Sequence, residues 1–450
     1  MRIYGVNYNI YNRDAGKKNT PANLGHDLGK KVLKRDVVNF TASVKNADIL
    51  KALLAFKIPD LYSPVILLDQ SSLNKIFEKN ILSSSIGKIS KHLNPLTSSL
   101  FPTEYDFYNL IRNEARVSPN KSLPKFIKGI YPKYKKRLVS EQIPVFNKLK
   151  SLVADFPGEL LEKYNYLMYI SEKKINGEPV FIQFSVKEFK YKLNNIKKRI
   201  MASPNADEHR AMNKLISIAS LVPDIPKEIR KSPEFKFTKY EDKQKVMIKK
   251  FNDYLYRSVL VNDKDLIELA ENSEKRIYKV PINISFNRKS FIYDLQEITS
   301  QLEDKKLARL VNKTAISLPT SKQSLAAFVV KSAYRSPEQV GYDMLSPSLG
   351  SIDHLVASHN GGEDVLSNYA LSSAYMNSLK AHKSFAEFYK HDKNIAEYAQ
   401  AQVDRLIELF KFTEIFNEIK LGQGYINNLA RKVEKLSKDP TLIIDTHGLK

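Results

Sequence analysis

The chain has 450 residues, a formal net charge of +23 at pH 7, and no cysteine. Its 42% hydrophobic and 27% charged residues are ordinary for a globular protein of about three domains, but the basic surplus is not, and it calls for a polyanionic partner: nucleic acid first, an anionic membrane surface second. The lack of cysteine excludes disulfide and thiolate chemistry and agrees with a cytoplasmic location; no apolar run nears the ~20 residues that span a bilayer, and the opening residues lack the apolar core of a signal peptide.

Residues 1–45 are polar, rich in Asn, Lys and Gly, and carry little periodicity, which predicts an extended or disordered arm. Residues 46–175 form a helical N-terminal region. Apolar residues recur at helical spacing over 47–56, serine-rich loops follow at 83–85 and 94–99, and 104–175 reads as helix broken at Pro119, Pro124, Pro132, Pro144 and Pro157. Residues 176–340 hold a divergent duplication. The stretch 179–193 aligns with 281–295, with Pro179/Pro281, Ile182/Ile284, Phe184/Phe286, Lys187/Lys289, Phe189/Phe291, Tyr191/Tyr293 and Leu193/Leu295 at equal offsets. Each copy reads as a short apolar segment running into an amphipathic helix, followed by a second helix. Residues 341–392 carry the chemistry discussed below. Residues 393–450 are C-terminal helices, one with an apolar face from about 394 to 420 and a shorter one from 425 to 436, closed by Pro440. The fold class is therefore mainly α, with a small mixed module near residue 350.

Three basic groups precede that module: Lys121 to Arg137, with Phe126, Tyr131 and Tyr134 interleaved; Lys187 to Arg199; and Lys227 to Lys250. Lysine dominates all three, which favours phosphate contacts without base reading.

The segment Ile352-Asp353-His354-Leu355-Val356-Ala357-Ser358-His359-Asn360-Gly361-Gly362-Glu363-Asp364 leads on to Asn368, Asn377 and Lys380. Residues 349–358 suit a short strand, Asn360-Gly361-Gly362 a turn, 365–371 a returning strand, and 373–388 a helix. Asn377 and Lys380, three apart, share a face of that helix. Aspartate and asparagine oxygens are hard ligands suited to magnesium, and a neutral histidine beside a phosphate can take a proton from water.

Over roughly 340–390 this arrangement resembles the HNH endonuclease family, a ββα-metal fold, with spacing like that of the HNH domain of CRISPR effector nucleases. The resemblance implies that His354 is the general base, that Asp353 and Asn377 bind Mg2+ or Mn2+, that Asn368 holds the loop orienting His354 through backbone hydrogen bonds, and that Lys380 contacts phosphate. It implies a DNA substrate. The chain departs from the family in having no cysteine pairs, so no structural zinc is expected and apolar packing must hold the module; Ala357 stands where proline is frequent, and Asn377 where histidine is frequent. His382 offers an alternative imidazole on the same helix, although His382 and His391 read first as solvated helix positions and His359 as a polar loop residue. Two readings stay open: a metal-dependent endonuclease, and a nucleic-acid-binding protein whose HNH module no longer cleaves.

Overall fold

The computed structural model describes residues 49–152, 156–225 and 234–449, with side chains over 234–239 excepted. The expected arm over 1–45 and part of the third basic group lie outside these residues. In chain order the helices are α1 (Gln70–Glu78), α2 (Ile86–Leu93), α3 (Pro102–Val117), α4 (Leu123–Ser151), α5 (Gly158–Asn176), α6 (Val186–Ile200), α7 (Ala206–Ser220), α8 (Glu234–Arg257), α9 (Lys264–Ile277), α10 (Arg288–Thr299), α11 (Lys305–Ile316), α12 (Leu325–Ser332) and α13 (Pro337–Leu345). The hairpin β1 (Gly350–His354) and β2 (Tyr369–Ser373) follows, then α14 (Ala374–Lys380), α15 (Phe385–His391), α16 (Ile395–Phe412), α17 (Ile415–Glu418) and α18 (Gln423–Ser437). The fold is mainly helical, and β1 and β2 are the only paired strands among the described residues. No helix among them is long and apolar enough to cross a membrane.

The described chain divides into two compact units. One takes residues up to Glu141 and from Ser317 onward; the other takes Gln142–Ile316. These limits fall elsewhere than the boundaries at 175 and 340 suggested by composition.

Two expectations for the helices need correction. Helix α4 runs through Pro132 and Pro144 instead of breaking there. A proline removes one helical hydrogen bond and strands the carbonyl four residues earlier. Here both prolines and the residues at those earlier positions, Lys128 and Ser140, are exposed, so the stranded carbonyls are open to water while Phe126, Ile127, Phe146 and Leu149 anchor the helix in apolar packing. The expected helix over 373–388 is also two helices. It stops after Lys380, Ala381 takes φ 46° and ψ −121°, and Ser384 with Glu387 forms a capping box that starts α15.

In the Gln142–Ile316 unit the aligned segments meet each other. Val180 and Ile282 exchange both backbone N–H···O bonds, at 2.9 and 3.0 Å. Each copy ends its preceding helix with a left-handed residue, Gly177 or Lys279, and each packs a phenylalanine pair, Phe184–Phe189 at 5.8 Å and Phe286–Phe291 at 5.6 Å. Helix α5 of the first copy packs on α10 of the second, and α9 of the second on α6 of the first, so the copies are related by exchange.

The other unit holds two apolar clusters. One gathers α1 to α4 around Phe107, Tyr108 and Ile111 with Phe328, Val340 and Leu345. The second seats the hairpin: Ile352, Leu355, Tyr369, Ala370 and Leu371 pack against Leu61 and Tyr62 and against Ala399, Val403, Leu406, Leu429 and Val433 of the C-terminal helices. Gln402 of α16 donates to the carbonyls of Leu371 (2.8 Å) and Pro59 (2.6 Å), and the Leu61 amide donates to Leu371 O at 3.4 Å. Apolar packing thus surrounds the hairpin.

Candidate active site

The site rests on a strand–loop–strand–helix unit. β1 and β2 pair antiparallel, with Asp353 opposite Ala370 and His354 opposite Tyr369. The loop between them is closed by backbone geometry and one side chain. Gly361 takes φ +80°, which glycine adopts without a Cβ clash, and Gly362 lies so close to the Val356 carbonyl that a Cβ there would stand 1.8 Å from its oxygen. Asn368, 1% exposed, then spans the loop: its Oδ1 accepts from Val356 N–H (3.0 Å), and its Nδ2 donates to Val356 O (2.9 Å) and Glu363 O (3.0 Å).

That loop brings Asp364 to His354. The imidazole Nε2 lies 2.6 Å from Asp364 Oδ1, and the ring meets Tyr369 edge-on at 4.9 Å. A carboxylate partner is an acceptor, so Nε2 carries the proton and Nδ1 the lone pair in the neutral ring. The ring is mostly buried, at 7% exposure, while Asp364 is exposed.

Consecutive strand residues point to opposite faces, and Asp353 accordingly faces elsewhere. It is 3% exposed. Its Oδ2 accepts from the Tyr62 hydroxyl at 2.5 Å, and Lys380 Nζ lies 3.0 Å from Oδ2 and 3.2 Å from Oδ1. Lys380 is fully buried and also donates to His354 O at 2.6 Å. Burial pushes the Asp353 carboxyl above the usual carboxylate range, with Lys380 pulling the other way, and burial beside Asp353 pushes the Tyr62 phenol well up. Beneath this group lies Asp60, which accepts from the amides of Tyr62 and Ser373 and from the hydroxyls of Ser63 and Ser373; burial raises its carboxyl too.

Asn377 is half-buried and points its amide at β1, donating from Nδ2 to Ile352 O (3.1 Å) and Ser351 Oγ (3.2 Å). Because a carbonyl accepts only from the amide nitrogen, Oδ1 remains as an acceptor. The structure therefore joins Lys380 to Asp353, Asp364 to His354, Asn377 to the strand just before Asp353, and Asn368 to the loop. Lys380 does not stand at the surface, where a phosphate would meet it. His382 lies in the exposed turn after α14 instead of on that helix, 6.3 Å from His359 ring to ring, and His391 ends α15, exposed.

The donor chemistry of Asp353 and Asn377, a carboxylate and an amide oxygen, fits a hard divalent cation. The carboxylate already carries a cationic partner, the Lys380 ammonium. A metal ion at Asp353 fits in place of that ammonium and not alongside it.

Three participants escaped the sequence reading. Asp364 sat in plain view in the Gly-Gly-Glu-Asp turn, ten residues after His354, without an assigned role. Tyr62 and Asp60 carry no local signal, being nearly three hundred residues upstream.

Of the basic groups, Lys125, Lys128, Lys133, Lys135, Lys136 and Arg137 are exposed along α4, whereas Phe126 and Tyr134 are buried and Tyr131 is half-buried with its hydroxyl on Tyr334. On α6, Lys187 and Lys198 are exposed, Lys192 pairs with Glu188, and Arg199 pairs with Asp263 and Asp265. Comparison with protein-family models, curated proteins and solved structures finds no match to this chain.

Proposed function

We propose that this chain is a divalent-metal-dependent endonuclease of HNH type that hydrolyses DNA phosphodiester bonds, one strand per site. The observation that carries the reading is the β1–loop–β2–α14 unit that sets His354 Nε2 2.6 Å from Asp364 on a loop fixed by Asn368. In this reading Asp364 orients the imidazole by accepting from Nε2–H, which leaves Nδ1 of His354 to take the proton from the attacking water. Asn368 acts as a positioning residue, because the Val356 and Glu363 carbonyls it binds flank the loop that delivers Asp364. Asp353 and Asn377 would hold magnesium or manganese, whose chemistry when bound is to offset charge on the departing 3′ oxygen. The exposed lysines of α4 would track phosphates without reading bases. A cytoplasmic setting goes with this reading.

One observation favours the second reading, a nucleic-acid-binding protein that does not cleave: Asp353 and His354 are buried, and Lys380 occupies the carboxylate that the reaction needs. Supercoiled plasmid incubated with the protein and Mg2+, with chelator and His354→Ala as controls, separates the two. Nicking that disappears in both controls supports the hydrolase. Plasmid retention without nicking under Mg2+ and Mn2+ supports the binder.

A further inference from the structure

We infer that Lys380 is an internal latch that holds the Asp353 carboxylate closed to divalent cations, so that metal entry requires the Lys380 ammonium to withdraw. The inference deepens the nuclease reading and rests on it for its role, though not for its geometry.

Three features of the structure point to a latch. The first is charge. Asp353 and Lys380 form a one-to-one pair at 3.0 Å with Lys380 fully buried, and the remaining hydrogen bond to the carboxylate comes from the Tyr62 hydroxyl at 2.5 Å. Within that pair the two charges offset each other. A doubly charged ion added beside the ammonium would leave like charges a few ångströms apart in a poorly screened interior. Entry by exchange avoids that repulsion.

The second is reach. Lys380 Nζ is held at two points, the Asp353 carboxylate and the His354 carbonyl (2.6 Å), so the latch spans the two residues to which metal binding and proton transfer are assigned. A lysine is suited to this exchange because its ammonium is a point charge on four rotatable carbons, and withdrawal needs no movement of β1.

The third is the backbone next to it. Lys380 is the last residue of α14, and Ala381 follows at φ 46° and ψ −121°, a conformation that an L-residue with a Cβ adopts only at a cost. Ala381 N–H bonds to Asn377 O and Lys383 N–H to Lys380 O, so the turn that seats Lys380 is itself strained and short. Beyond it, α15 begins afresh at its own capping box. The helix end that carries the latch therefore has a strained turn on its outer side, and Asn377, the other residue assigned to the ion, lies three residues back on the same helix.

The test is Mn2+ binding, read by electron paramagnetic resonance on the full chain, comparing wild type, Lys380→Gln, and Lys380→Gln combined with Asp353→Asn. Glutamine removes the charge and keeps a donor, which guards the fold; Mn2+-dependent protection against thermal unfolding gives a second readout if the variant is less stable. The latch predicts that Lys380→Gln binds one Mn2+ at least tenfold more tightly than wild type, that the gain is lost in the double variant, and that Mn2+ raises the unfolding midpoint of Lys380→Gln more than that of wild type. A gain below tenfold, or a gain that survives Asp353→Asn, overturns it. Plasmid nicking on the same samples reports on the hydrolase reading alone: an intact Mn2+ gain with no nicking in any sample removes that reading and leaves the latch standing.

Discussion

Asn368→Ala is the sharpest test of how the candidate site is built. The side chain is 1% exposed and makes three hydrogen bonds, all to backbone of the β1–β2 loop, at 2.9 to 3.0 Å. Each such bond contributes about 1 kcal/mol net, so removing all three costs about 3 kcal/mol. The freed groups set the spread around that figure. The Glu363 carbonyl is at an exposed residue and rehydrates readily, whereas Val356, half-buried in the loop after β1, loses Asn368 as partner at both its N–H and its carbonyl. Global unfolding reports on a single loop only indirectly, because a chain of two compact units need not unfold in one step. Amide hydrogen exchange at Val356 reads the loop directly. Asn368→Ala should speed exchange there by roughly a hundredfold, the equivalent of about 3 kcal/mol, while the amide of Leu255 in the other unit stays unchanged. Asn368→Asp should do no better than alanine, since it keeps the acceptor for Val356 N–H but sets a negative charge against two carbonyl oxygens. A loss of protection at Val356 below about 1 kcal/mol would refute the claim that this side chain holds the loop.

Ala381→Gly should be neutral or stabilising by up to about 1 kcal/mol in thermal unfolding, because relief of the positive-φ strain outweighs or matches the entropy that glycine adds to the unfolded chain; a clear destabilisation would contradict the strained turn. Acid sensitivity has a defined sign at Asp439, where hydrogen bonds from Lys393 first and Thr441 second hold the carboxyl well below the usual range. With the folded value below the unfolded one, this stabilisation is present above about pH 4 and is lost as the pH falls toward the folded value. Asp439→Asn should remove that part of the acid transition measured by circular dichroism, and an unchanged pH profile would count against the contact.

What the sequence made legible was local. β1 falls inside the strand expected over 349–358, and glycines 361 and 362 close the loop for the reasons glycine suggests, one by its φ and one by its missing Cβ. The mainly helical class followed from apolar periodicity, and the duplicated segments could be aligned because each phenylalanine pair and each helix start recurs at the same offset. The second strand was expected at 365–371 and lies at 369–373, since a short 3-10 turn over Leu366–Asn368 takes up the first residues. The break after Lys380 is marked by Ser384-x-x-Glu387, a capping-box pattern set within an otherwise periodic stretch. Burial was not legible. Spacing places Asn377 and Lys380 on one face of α14, but it does not say whether that face looks to water or to Tyr62, and the answer came from a residue far away in the chain.

Strand cleavage that depends on His354 is the most direct test of the proposed chemistry. Conversion of supercoiled plasmid to the nicked form should require Mg2+ or Mn2+, and His354→Ala should slow it by about a hundredfold or more, the usual contribution of a general base. Metal-dependent nicking that persists undiminished in His354→Ala, or DNA that is bound and never cut under either ion, would contradict it.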